Sequence, residues 1–233
     1  MIPISDENPT QTKPFVTWGV IFVCIATFLW QLSFSEGDGE ALFFALGFVP
    51  RNLFDKAVTA SVYGIPWPWL TLITSMFLHG GFLHLGGNML YLWIFGNNVE
   101  DAMGHVRFLL FYLGCGIAAA LAEGIVNPHS ALPMVGASGA ISGVLAGYVL
   151  IYPRARVRVI IPLGILLYPT KISALYVVGF WFVLQLLNGV VTTAGAPGTA
   201  WWAHVGGFAV GLLLTPFLSR FPLFGRYTRG PWG

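Results

Sequence analysis

The chain has 233 residues, of which 56% are hydrophobic and 9% charged, with a mean hydropathy of +0.76. No water-soluble domain needs so apolar a surface, so a polytopic membrane protein is expected, with the bilayer as its constant partner and no nucleic acid. The formal charge of +2 matters less than where the cations sit.

Lys13 precedes the first long apolar run, and Arg107 opens the third. Arg154, Arg156, Arg158 and Lys171 fall between the fourth and fifth, and Arg220, Arg226 and Arg229 follow the sixth. On the other side are Arg51 and Lys56, in a long first loop that also holds Glu36, Asp38, Glu40 and Asp55. The excess of cations then places both termini in the cytoplasm of a cell (inner) membrane, with loops of the other parity outside. Cys24 and Cys115 lie inside separate apolar runs and read as buried thiols, not as a disulfide framework.

Residues 1–14, with Pro3, Pro9 and Pro14, are expected to form a mobile cytoplasmic tail. Residues 15–219 are read as one membrane domain of six helices, and 220–233 as a second cytoplasmic tail. The first span covers about residues 15–33; no small-residue cleavage site follows it, so it reads as an uncleaved helix. Residues 34–78 form a long external loop. Its apolar clusters at 41–49 and 53–62, with Trp67 and Trp69, suggest short amphipathic helices partly embedded in the outer headgroup region.

The second span, about 82–96, carries His84 and Asn88, which are four apart and share a helix face. Counted up from Asn97, His84 stands roughly 20 Å above the inner surface. Polar groups at that depth face the bundle interior and mark function. The third span, about 105–122, is rich in small residues and meets Glu123 at its outer end. The fourth runs from Ser138 to about Tyr152, where Pro153 stops it. The fifth, about 172–191, holds Phe180, Trp181 and Phe182, with Gln185 and Asn188 toward its outer end. Residues 192–199 read as an external flap. The sixth span, about 200–218, carries His204 roughly 7 Å below its outer end.

The informative stretch is Gly136-Ala137-Ser138-Gly139-Ala140-Ile141-Ser142-Gly143. From Ser138 to Tyr152 a helix rises roughly 21 Å, while the hydrocarbon layer is about 30 Å thick. The helix therefore begins below the outer surface. Irregular backbone at such depth persists only where protein buries it or a wet cavity meets it. A serine there reads as a nucleophile, and His204, at a matching depth, as the base that takes its proton and later protonates a leaving amine. The orphan N–H groups at the helix start, that of Ser138 and more weakly that of Gly139, can receive an oxyanion together with the Asn88 amide and the His84 ring.

Small residues every four positions form two ridges that would let the fourth and sixth helices approach: Gly139, Gly143 and Gly147 on one, Gly207 and Gly211 on the other. No carboxylate lies inside a span, so a Ser–His dyad without an acidic third member is the economical arrangement, with Glu123 a weak candidate to orient the base. Read singly, each feature has a plainer meaning. A Gly-x-Ser-Gly is common in glycine-rich helices, and a lone intramembrane histidine serves as well for proton relay. Their agreement in depth favours catalysis. His79 reads as a structural bracket for the loop, and His105 and His129 as surface residues.

The order Leu78-His79, His84, Asn88, Gly136-Ala137-Ser138-Gly139 and Ala203-His204 with Gly207 and Gly211 resembles the rhomboid family of intramembrane serine proteases. Phe95-Gly96 with Val99-Glu100 and Gly104 fits that family's turn between its second and third helices. The resemblance implies a compact all-α bundle of six transmembrane helices with a partly membrane-embedded first loop. It implies Ser138 as nucleophile, His204 as base, and His84, Asn88 and the Ser138 backbone N–H as oxyanion donors. It implies no cofactor and no metal, and transmembrane proteins as substrates. Two departures stand out. Trp67-Pro68 and Trp69-Leu70 occupy the loop where many relatives have Trp-Arg, and Ser142 stands where some have an aromatic residue against the catalytic ring.

Two other classes compete. A non-catalytic client-binding relative would lack the serine or the histidine. A transporter using His79, His84 and His204 would need polar residues through the full thickness, whereas here they gather in the outer half. His-Glu-x-x-His and paired intramembrane aspartates are absent from the sequence, which removes the motifs of metal- and aspartate-dependent intramembrane proteases.

Overall fold

The structure, a computed structural model, describes residues 1–54, 67–192 and 198–224. Within these, β1 (Ile2–Asp6) leads into α1 (Phe15–Gln31), followed in the first loop by α2 (Glu36–Leu46) and α3 (Pro50–Phe54). The chain returns through α4 (Thr71–Thr74), flanked by single 3-10 turns at Pro68–Leu70 and Ser75–Phe77. Next come α5 (Phe82–Tyr91), a π-turn (Leu92–Gly96) and α6 (Asn97–Met103), which run on without a break, and then α7 (His105–Val126). The rest is α8 (Ser138–Ile151), β2 (Arg156–Leu163), β3 (Leu166–Ser173), α9 (Ala174–Val191) and α10 (Trp201–Leu218). Helices α7, α9 and α10 are long and apolar enough to cross a membrane, and α1 and α8 are shorter apolar helices.

The centre of the bundle is the meeting of α7, α8 and α10. A methyl group at Gly207 would fall on the carbonyl of Gly139, and one at Gly211 would lie 2.6 Å from the Cα and carbonyl oxygen of Gly143. On its other side Gly143 abuts Cys115, and Gly147 faces Thr215 and Phe111. Only helices stripped of side chains at these positions can approach so closely, and dispersion between backbones replaces the missing hydrophobic drive.

The opposite end from the serine gathers the described parts of both chain termini. Arg220 N–H donates to the Ala102 carbonyl (2.8 Å) and Phe224 N–H to that of Leu150 (2.7 Å). Glu100, fully buried, accepts from the N–H groups of Val16 (2.9 Å) and Thr17 (2.7 Å), from the Thr17 hydroxyl (2.7 Å), and pairs with His105 Nδ1 (2.6 Å). A carboxylate on α6 thus caps the start of α1, where orphan donors and the helix dipole both favour negative charge. The neighbouring Asp101 accepts from the N–H groups of Gln11 and Thr12, both at 2.9 Å.

Three expectations differ from this fold. The bundle is mostly helical, not wholly so: β1, β2 and β3 form an antiparallel sheet in that order. The β-branched run Val157-Arg158-Val159-Ile160-Ile161 favours strand. Gly164, at φ 62°, opens the two-residue turn to β3, the position where a type II′ turn takes glycine. Residues 1–14, expected to be a mobile tail, are instead held: β1 pairs with β2, and the Tyr148 hydroxyl donates to Asp6 (2.6 Å). Arg158 and Lys171 both pair with Glu7. Third, the second span does not stop before Asn97 but continues to Met103, and α7 extends past Glu123 to Val126. Of the expected segments, 55–62 of the second loop cluster, 193–197 of the flap and 225–233 of the second tail lie outside the described residues.

Two predictions follow from the terminal face. Glu100→Ala leaves several buried donors without an acceptor and should destabilise by roughly 3–5 kcal/mol; an unchanged unfolding midpoint in detergent would contradict the capping role. Burial pushes the Asp6 carboxyl up to about 6 from its ordinary 3.8, against the lowering pull of the Tyr148 hydroxyl. Its folded pKa exceeds its unfolded one, so its contribution is intact at low pH and is lost as pH rises through about 6. Asp6→Asn should therefore stabilise by on the order of 2 kcal/mol at neutral pH and by little near pH 4, measured as unfolding midpoints at the two pH values.

Candidate active site

Ser138 is the first residue of α8, and the two residues before it are shaped by what they must fit against. Gly136 sits at φ 120°, a conformation that side chains resist, and its N–H donates to the Ser75 carbonyl (2.9 Å). A side chain there would also run into the ring of His84. The preceding segment is braced by the first loop: Phe48 and Met134 exchange backbone hydrogen bonds of 2.9 and 2.8 Å.

His204 lies one turn into α10, 8% exposed, with Nε2 2.8 Å from the Ser138 hydroxyl oxygen. Its other nitrogen, Nδ1, is 2.7 Å from Oε1 of Gln185 on α9, itself buried. The Gln185 amide orientation follows from its other bond, in which Nε2 donates to the Trp181 carbonyl (3.1 Å). That leaves Oε1 as an acceptor facing the ring, so Nδ1 carries the proton and Nε2 is free to accept from the serine. The ring is flanked by Trp181, with centroids 5.8 Å apart, and edge-on by Trp201 at 6.2 Å. Ser142, at the position where the sequence offers no aromatic residue, turns its hydroxyl back to the Ser138 carbonyl (2.7 Å).

His84 and Asn88, on α5, both face the glycine that precedes the serine segment. A methyl group at Gly136 would lie 2.6 Å from His84 Nε2 and 3.6 Å from Asn88 Nδ2. Asn88 is buried, and its Nδ2 has no hydrogen-bond partner among the described residues. A buried amide donor left unpaired is costly unless something arrives to use it. His84 Nδ1 accepts a long bond from Gly80 N–H (3.4 Å), leaving Nε2 toward the serine side. A cavity of about 800 Å³ opens beside His84, lined also by Ser138, Gly139, His204, Trp201 and Glu123 among others.

Glu123 does not reach the imidazole. Its carboxylate accepts from Asn127 Nδ2 (2.6 Å) and from Ala203 N–H (3.2 Å), so it ties the end of α7 to the first turn of α10. His79 is fully buried and brackets the loop as expected: Gln31 donates to its carbonyl and accepts from its N–H, both at 3.0 Å, and its ring Nδ1 lies 3.3 Å from the Phe77 carbonyl oxygen. The His79 ring lies edge-on to His84 at 5.2 Å. His105, expected at the surface, is half-exposed and engaged with Glu100. Among the described residues, no three of His, Cys, Asp and Glu come together as a metal site.

The residue that sequence reasoning overlooked is Gln185. A carboxylate was sought and an amide fills the place. The available signal was spacing: Trp181 and Gln185 are four apart, so a polar side chain toward the outer end of α9 shares a face with a large aromatic.

A family model described as Rhomboid domain matches residues 66–221. The chain is 31% identical over 164 residues to Rhomboid-like protein 11, chloroplastic, of Arabidopsis thaliana, covering 66% of this chain and 54% of that one. It is 32% identical over 151 residues to Rhomboid protease GluP of Bacillus subtilis, covering 65% of this chain and 26% of that one. It is 33% identical over 160 residues to Rhomboid-type serine protease 2 of Emericella nidulans, covering 67% and 28%. The chain thus spans about half the length of the first of these relatives and under a third of the other two. Mostly helical, 56% hydrophobic and matched across two thirds of its length, this chain is a membrane protein of the rhomboid family.

Proposed function

We propose that the protein is an intramembrane serine endopeptidase that cuts membrane-protein substrates in or near their transmembrane helices. The observation that carries this reading is the 2.8 Å contact between the Ser138 hydroxyl and His204 Nε2, with Nδ1 engaged by Gln185 at 2.7 Å. The names of the Bacillus and Emericella relatives support it.

In the proposed reaction the Ser138 hydroxyl gives its proton to Nε2 of His204 as its oxygen attacks the scissile carbonyl. The tetrahedral oxyanion is received by the Asn88 amide, the His84 ring and the Ser138 backbone N–H, with that of Gly139 a weaker donor. The imidazolium returns its proton to the leaving amine, and water then resolves the acyl-enzyme with the same base. Gln185 accepts from Nδ1–H throughout. Its amide fixes the ring's tautomer and orientation without introducing a second charge into a low-dielectric site, where an ionised carboxylate would be costly.

Six spans, termini in the cytoplasm of a cell membrane and a site opening toward the outer side complete the reading. Residues 15–219 form the membrane domain between two terminal segments. A substrate helix must unwind locally before its amide reaches Ser138, so weak helix formers near the scissile bond favour cutting.

Substitutions at the dyad and at Gln185 test this. A fluorophosphonate probe should label the detergent-solubilised protein at Ser138, and labelling should vanish in Ser138→Ala and His204→Ala variants that retain the parental unfolding midpoint. Cleavage of a transmembrane substrate should fall by at least about 10³-fold in both. Full labelling of either folded variant would refute the dyad. Gln185→Leu should lower kcat on the order of 10- to 100-fold with little change in KM, since it loosens the base and not the substrate. Nitrogen NMR of the His204 ring should show mixed tautomers in that variant and Nδ1–H alone in the parent. An unaltered ring spectrum with unaltered kcat would reduce Gln185 to packing.

A further inference from the structure

The proposed chemistry makes no use of the β2–β3 hairpin, whose composition is unusual for a hairpin in water. Between Arg158 and Lys171 there is no charged residue. Successive residues of a strand point to opposite faces, so a solvated hairpin carries one polar face. Here both faces are apolar toward the tip: Leu163 is 58% exposed, Ile165 99%, Leu166 67%, Leu167 65% and Tyr168 58%.

The covering strand ends early. β1 pairs only as far as Ile2 with Ile160, so the rungs from Ile161–Tyr168 to Leu163–Leu166 project as a bare two-stranded ribbon. The root is different. Val157 and Val159 are buried against the bundle, while Arg154, Arg156, Arg158 and Lys171 form an exposed cationic collar. Arg158 and Lys171 stand opposite each other on one rung with Glu7 bridging both. From that rung to the turn the ribbon reaches roughly 20 Å. β3 passes directly into α9, whose first turn presents Leu175 and Tyr176 outward, 52% and 69% exposed, where a spanning helix meets lipid.

We propose that the hairpin tip lies in the interface of the leaflet on the side of the chain termini, with Leu163, Ile165, Leu166, Leu167 and Tyr168 among the upper acyl chains. The cationic collar then rests against anionic headgroups. Three observations select lipid over a protein partner: apolar side chains on both faces of the ribbon, cations only at its root, and direct continuity with a membrane-spanning helix. Full insertion is disfavoured because a bare ribbon has unpaired backbone groups along its edges, and these need water. Pro162 and Pro169 remove two such N–H groups, which suits a shallow interfacial position.

The test uses the full chain in lipid vesicles. Ile165→Cys is labelled with an environment-sensitive fluorophore, and Gln11→Cys, exposed on the same side, serves as the water-facing control; the native Cys24 and Cys115 are buried. A lipid carrying a spin label high on its acyl chain should quench the label at position 165 severalfold more than aqueous iodide does, with the reverse order at position 11. Replacing part of the phosphatidylcholine with phosphatidylglycerol should strengthen the lipid-borne quenching. Iodide quenching at 165 as strong as at 11 would overturn the proposal. So would protection from iodide without lipid-borne quenching, or protection lost on diluting protein in excess lipid, which would point to a protein partner or a second copy. Lipid-borne quenching indifferent to phosphatidylglycerol would overturn the role given to the collar.

Discussion

The molecule depends on two backbones being allowed to touch. Gly207 and Gly211 on α10 lie directly against Gly139 and Gly143 on α8, at distances that leave no room for even a methyl group. Inside a bilayer, where apolar side chains gain nothing by leaving lipid for protein, such contact is what holds helices together. It also sets position. Ser138 stands one residue before the first glycine of one ridge, and His204 three residues before the first of the other. The same contact that closes the bundle therefore fixes the separation of hydroxyl and imidazole, and no side chain has to stretch across a gap.

Around that seam the polar groups are paired in a way that suits their depth. Toward the serine end they are neutral: an amide holds the imidazole, and another amide beside the glycine turn has no partner among the described residues. Toward the terminal end they are ionic. Glu100 caps a helix, Asp101 holds the N-terminal approach, and Glu7 joins two cations of the sheet. Glu123, the one carboxylate lining the cavity among the described residues, is occupied with a helix start and an asparagine. Charge is thus kept where water or several donors can carry it, in keeping with the cost of burying it unpaired.

Much of this was legible in the sequence because the relevant signals are local. Apolar run lengths mark the helices, and counting residues to the nearest charged boundary sets Ser138 and His204 at one level, the two side chains that the fold brings to 2.8 Å. His84 and Asn88 share a face by simple spacing. The sheet was harder to read, because β1 acquires its meaning only by pairing with β2 more than 150 positions away, and the arginines of β2 read first as a topology signal. Gln185 escaped for a different reason. The search for a third member assumed a charge, and an amide in an apolar helix looks like any tolerated polar residue until its partner is placed beside it.

The π-turn between α5 and α6 has a consequence for how one helix serves both ends of the protein. Glu100 follows Asn88 by 12 positions. At about 100° per residue an unbroken α-helix would leave them roughly 120° apart around its axis. The wider turn at Leu92–Gly96 absorbs about one residue of that winding and brings them to within roughly 20°. A single added residue thus acts as a rotary offset, aligning an amide donor that has no partner among the described residues with a helix-capping acid about 18 Å further along the same helix.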